Sequence, residues 1–306
     1  MHVLGKAPTV FLCTPEDFED VQKTQYEAFG KNPLFVEAAT DVLGQGVFAI
    51  SGPLWYHQRK VASRLFSTQM IQHNMDVVVS EKCKQLMRSL DLASWRENST
   101  NGVVRLKWML DLFTMDVFCK VGFGIEMQGM ERQPIIAMLE ALQRSSARIV
   151  GRILEPSWSW KFRRYLRFGA EKQFASDMKR VNDMLYKFIA RSMKEKASRD
   201  AGSHDDSDSR MDLISLHLEQ EAADNGKDGE ILPKKLRDFL VSFLAAGQDT
   251  TATAMSWFVV MMNRYPKVLE RVREEIRDKL PDLANGKQLV PSLHEAQLSS
   301  VLGCSR

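Results

Sequence analysis

Cysteine is scarce in this chain and nowhere clustered. Cys13, Cys83, Cys119 and Cys304 lie far apart, and no two form a C-x-x-C pair. That pattern argues against a disulfide framework and against a zinc site, and makes a reducing compartment the expectation. Charge of one sign is lacking too. The net charge is +3, and the Lys and Arg residues are mixed with acids along helical stretches, so no basic patch points to nucleic acid. No apolar run reaches the roughly 18–20 residues of a bilayer-spanning helix, and no signal-peptide pattern opens the chain. Internal repeats are absent and strand signal is thin. With 44% hydrophobic and 26% charged residues, the composition suits a folded, mainly α chain with a sizeable core.

What the chain does have is one dominant stretch, FLVSFLAAGQDTTATAMSWFVVMMNRYP, at residues 239–266. Pro233 suits a first helical turn, and Pro266 forbids continuation beyond Tyr265. The helix between them is roughly 45–50 Å long at 1.5 Å per residue. Apolar on nearly every face, it is expected to be buried. Its middle is polar: Gly247, Gln248, Asp249, Thr250 and Thr251. Burying that acid and those hydroxyls costs several kcal/mol unless they find partners. One reading is structural: Thr bonds back to a carbonyl one turn earlier, and Gly admits a neighbouring helix. The other is chemical. A small residue followed by an acid and a hydroxyl makes a groove beside a proton-relay pair, with a local distortion of the helix hydrogen bonds.

Along the rest of the chain, residues 9–13 read as a strand and Thr14 caps a helix from Pro15 to about Gln25. A loop bearing Gly30, Pro33, Gly44 and Gly46 follows, then a Gly52-Pro53 turn. From Leu54 a helix places Trp55 and Arg59 one turn apart on one face. They are either a half-buried Trp beside a solvated Arg or an anion grip, in which an indole N–H and a guanidinium hold a carboxylate. Helical patterns cover 70–95, 107–122, 171–196, 211–223 and 267–280, and the polar tract 198–210 reads as a mobile surface loop. The loop from Asp224 imitates a calcium-binding loop, but Gly226 and Lys235 stand where ligands are required, so a surface turn is expected.

These residues together resemble a known family. AAGQDTT at 245–251 resembles the oxygen-activation signature A/G-G-x-D/E-T-T/S of the cytochrome P450 central helix. LWYHQRKVASRLF resembles that family's W-x-x-x-R motif, and FTMDVFCKVGFG and RYPKVLERVREEI look like its intervening and following helices. The likeness runs from the first strand to about Gln297. It implies the N-terminal and central portion of a P450 fold, with a long buried central helix and a minor β element, forming one partial domain over 1–306. It also implies a haem-thiolate monooxygenase that inserts one oxygen atom from O2 into a C–H bond. GVFAISGPLWYHQRKVASRLFS and LEPSWSWKFRRYLRFGAEKQF look most like the clan that hydroxylates long-chain fatty acids and alkanes.

By the same resemblance, Trp55 and Arg59 would bind a propionate of haem b. Ala246, Gly247 and Thr251 would lie at the haem face and leave room for dioxygen. Asp249 and Thr250 would steer protons towards that oxygen, and Phe243 would line the substrate channel beneath helices spanning 158–196. An NADPH-cytochrome P450 reductase-type partner would supply electrons to a monomer on the cytosolic face of the endoplasmic reticulum.

One part of the family pattern is missing. The axial cysteine belongs to F-x-x-G-x-x-x-C-x-G, whose thiolate donates to the iron. None of the four cysteines fits: around Cys304 stand Gln297, Ser300 and Arg306, and Cys119 reads as a small core residue. The E-x-x-R helix is absent as well. SLHEAQ resembles its approach, whereas residues 298–306 match nothing in the family, so an exon-boundary error or frame change after about Gln297 is expected. As written, the chain is expected to hold only the distal half of the haem pocket, to be inactive and to expose apolar surface. The alternative is a non-catalytic helical protein derived from a P450, binding a partner or lipid through that surface.

Overall fold

The computed structural model describes residues 10–64, 74–95, 104–125, 132–200, 214–215, 217–218, 233–288, 290–291 and 295. Cys304, the loop from Asp224, residues 201–210 and 298–306, and most of 211–223 lie outside them.

The first helix, α1 (Pro15–Glu19), begins as its sequence dictates: Thr14 accepts the Asp17 N–H at 3.2 Å, with proline in the first turn. It runs on as a π-helical turn, Asp20–Thr24. The strand expected at 9–13 is not formed at 10–13, and no strand occurs among the described residues. A strand exists only by pairing, and Val10 is 80% exposed.

The expected loop through Pro33 holds a helix, α2 (Pro33–Leu43). Asn32 accepts the Leu34 N–H at 2.9 Å, and Ala38, Ala39, Val42 and Leu43 form a buried stripe. Gly44, at φ 51°, ends it. Next come α3 (Gly52–Ser63), a π-helical turn (Asn74–Val79) leading into α4 (Ser80–Trp95), and α5 (Leu106–Phe123), which stops on left-handed Gly124. Two further helices follow, α6 (Arg132–Leu154) and α7 (Ser157–Tyr165). The long α8 (Gly169–Asp200) carries Ser198–Asp200 of the expected loop as helix. Then come the central α9 (Pro233–Arg264), α10 (Pro266–Lys279) and α11 (Pro281–Ala284).

The central helix packs along α5, and α8 along α6, with α2 against both α6 and α9. Met115, Cys119 and Phe123, Leu139 and Leu142, Val181 and Leu185, and Leu236, Phe239, Leu240 and Leu244 share one core. The buried Arg152 ties four helices together. Its guanidinium donates to Ala38 O at 3.0 Å, Asp41 at 2.9 Å and Glu171 at 3.1 Å, and stacks on Trp160 and Phe174. Burial opposes ionisation of Glu171, but hydrogen bonds from Arg152 and Arg148 outweigh it and hold its pKa below the usual carboxylate range.

Burial of the central helix stops half-way, contrary to expectation. Residues from Leu236 to Leu244 are almost all buried, whereas Trp257 is 61% and Phe258 51% exposed, because α10 covers the last turns only in part, meeting Phe258 and Met262 across an open groove with Val268 and Val272. No described helix is long and apolar enough to cross a membrane.

Candidate functional site

The polar break at 247–251 is continuous α-helix, so the expected distortion of its hydrogen bonds does not occur. Gly247 faces α5: a Cβ there would lie 2.8 Å from the Phe118 ring, so only glycine lets the two helices approach this closely. The residue the break buries is Gln248. Its Nε2 donates to Asp111 Oδ1 at 3.2 Å, and its carbonyl accepts from Thr114 Oγ1 at 2.9 Å. Asp249, Thr250 and Thr251 lie on the exposed side, the reverse of the expected burial, because the partners on α5 take up the turn through Gln248 instead.

Asp249, with its side chain 62% exposed, is held at 3.3 Å by Lys107 Nζ, which also pairs with the buried Asp111. Burial disfavours the Lys107 ammonium, but hydrogen bonds and charge from Asp111 and Asp249 outweigh it and raise its pKa. Thr250 Oγ1 donates to Ala246 O at 2.6 Å, the back-bond of the structural reading. An acid and a hydroxyl therefore stand side by side at an accessible surface. Lys107 and Phe118, the partners of this break, carry no sequence signal of their own because their proximity comes from helix packing.

On α3, Trp55 is half-buried, 6.4 Å from the Tyr26 ring, and lines a groove of about 730 Å³ together with Phe29, Lys31 and Ile50. Lys31 donates to Val47 O, and burial pushes its pKa down. Sequence reading passes over this residue because nothing local marks it. Arg59 is exposed and makes no ion pair among the described residues, so its guanidinium is available to an anion. The groove is lined by none of Ala246, Gly247, Asp249, Thr250 or Thr251. Phe243 is half-buried, its ring 4.8 Å from Phe239 at the edge of the core.

The thiols show what this arrangement can ligate. Cys119 is fully buried and burial pushes its pKa far up; Cys83 is shifted the same way, and Cys13 is exposed. A buried neutral thiol is a poor metal ligand. No group of three or more His, Cys, Asp or Glu is placed to hold a metal among the described residues. Among the described residues, then, the Arg59 guanidinium is open to an anion and no side-chain set is placed to ligate a metal, while the groove at Trp55 does not include the 245–251 turns.

These elements define a helical fold in which a long central helix, with a small residue, an acid and hydroxyls at its middle, follows a shorter helix carrying Trp55 and Arg59. The family model "Cytochrome P450" matches residues 1–289, and the chain belongs to the cytochrome P450 family, whose members are haem-binding monooxygenases. Family membership rests on that match and not on the exposure of Asp249. The chain is 30% identical to "Cytochrome P450 704C1" of Pinus taeda over 275 residues, 87% of this chain and 50% of that protein. It is 28% identical to "Cytochrome P450 704B1" of Arabidopsis thaliana over 93% of this chain and 53% of that protein. It is 29% identical to "Cytochrome P450 86B1" of the same plant over 86% of this chain and 45% of that protein. The chain spans about half the length of the curated relatives it matches.

Proposed function

We propose that this chain is one partial P450 domain over 1–306, with 298–306 foreign to the family. It would carry the distal side of a haem-thiolate monooxygenase acting on a long-chain fatty-acid-like substrate, and by itself be inactive. The observation that carries the reading is the ordered pair of motifs, Trp55/Arg59 and 245–251, inside a family match that supplies no cysteine in the family's ligand motif. When bound, haem b supplies the oxygen chemistry.

The residues of this chain bind and orient. Arg59 and Trp55 offer a guanidinium and an indole N–H to a propionate. Ala246, Gly247 and Thr251 present small side chains. The Thr250 hydroxyl, its hydrogen given to Ala246 O, offers lone pairs to an incoming donor. Asp249 is steadied by Lys107 as a proton carrier beside it. Phe243, about two turns before Thr250 on the same helix, would lie on the substrate side. The substrate class rests on the clan resemblance of 46–67 and 154–174. An NADPH-cytochrome P450 reductase-type donor, a monomeric state and the cytosolic face of the endoplasmic reticulum rest on the family.

A second reading, a non-catalytic partner- or lipid-binding relative, is favoured by the exposed apolar turns around Trp257 and Phe258. Haem titration of the chain, followed by reduction under carbon monoxide, separates the two. Weak uptake without a thiolate-type Soret band, abolished by Trp55→Ala with Arg59→Ala, is expected. A thiolate-type band would overturn the proposed inactivity, and no uptake at all would favour the second reading.

A further inference from the structure

A polar chain, buried at Arg237, Asp238 and Gln58 and partly exposed elsewhere, links the two helices that carry the candidate residues. Asn182 Oδ1 of α8 accepts from Arg237 Nε of α9 at 2.7 Å, and Arg237 Nη1 donates to Asp238 Oδ1 at 2.7 Å. Asp238 Oδ2 then accepts the main-chain N–H of Gln45 at 2.9 Å, in the loop between α2 and α3. The Gln45 carbonyl accepts from Gln58 Nε2 of α3 at 2.8 Å. Gln58 lies between Trp55 and Arg59 in α3, and Arg237, Asp238 and Gln58 are all buried.

The loop is shaped for this contact. A Cβ on Gly44 would lie 2.1 Å from Asp238 Oδ2, and one on Gly46 1.9 Å from Ser242 Oγ, so both glycines seat the loop directly on α9. A carboxylate accepting from a buried guanidinium and a backbone amide is a strong, directional anchor. Asp238 precedes Asp249 by about 16 Å of rigid helix at 1.5 Å per residue, so anchoring the loop there fixes α3 relative to the 247–251 break.

We propose that Asp238 is a positioning residue. By gripping Gln45, itself gripped by Gln58, it sets the Trp55–Arg59 helix against the central helix. Its bearing on cofactor binding rests on the haem reading above; the clamp itself does not, and it is measurable without haem.

The test uses the full 306-residue chain. It reads the exchange of the Gln45 amide relative to that of Val42, and the distance between spin labels at the exposed Lys60 and Ala254. In Asp238→Ala the relative exchange of Gln45 rises about tenfold or more and the label distance broadens. Asp238→Asn, which keeps an oxygen for the amide, restores most of the protection. Gln58→Ala broadens the distance but leaves the Gln45 amide protected, and it answers the question if Asp238→Ala does not fold. Leu240→Ala, a core truncation on the same helix, changes neither readout beyond about twofold. Unchanged exchange and distance in Asp238→Ala, or the same changes in Leu240→Ala, would overturn the proposal. Failure of haem uptake would remove the haem reading and leave the clamp standing.

Discussion

At the scale of single residues, the break in the central helix is a helix–helix contact as much as a chemical feature. Replacing Gly247 by Ala gains about 1 kcal/mol of helix propensity. The new methyl would sit 2.8 Å from Phe118, however, and overpacking costs typically 1–3 kcal/mol. The clash wins. Gly247→Ala lowers the melting temperature, and Phe118→Leu in the same chain recovers part of the loss. Lys107 is the second such residue. It neutralises Asp111, which is almost fully buried, while remaining partly solvated itself. Lys107→Met therefore destabilises by about 1–2 kcal/mol in urea denaturation, less than a fully buried pair would lose. The motif letters at 245–251 were legible in the sequence. Which of them faces α5 was not, because that depends on the rotation of one helix against another 130 residues or so away in the chain.

At the scale of elements, caps and periodicity fixed most helices locally. The Thr14, Pro233 and Pro266 boundaries follow from backbone chemistry that needs no partner. The helix at Pro33–Leu43 shows a competing signal: Gly and Pro at its edges read as loop, while a four-residue apolar stripe between them carries the helix. Asn32→Ala removes its cap and costs about 1 kcal/mol by denaturation. Sequence reading assigns no element to Arg132–Leu154, although Ile135, Met138, Leu139 and Leu142 hold helical spacing and are all buried. In the central helix the apolar letters continue into turns that α10 covers only in part. Replacing Trp257 and Phe258 by Ser should therefore reduce binding of a hydrophobic dye and self-association by light scattering, with little loss of stability, since both are mostly exposed.

At the scale of the molecule, buried carboxylates clamp helices together and make stability depend on acid. Glu171 and Asp177 are both disfavoured as anions by burial, but arginine hydrogen bonds hold their pKa values below normal. Folded values below unfolded ones mean stabilisation is present above the unfolded values, about 4.3 and 3.9, and lost as pH falls through the lower folded values. Acid unfolding should thus steepen below about pH 4, and Glu171→Gln should flatten it. Measuring the unfolding free energy between neutral and acid pH checks both.

The sequence by itself determined the family, the long central helix, its polar break and the lack of a matching cysteine motif, since each is a matter of residue order and local backbone preference. Only the tertiary structure decided that Gln248 turns inward while Asp249 and Thr250 face out, that Gly44 and Gly46 seat a loop on Asp238, and that the central helix is buried for half its length. The physical reason is that a 3.6-residue period defines which side chains share a face, whereas the burial of that face depends on distant segments packing against it.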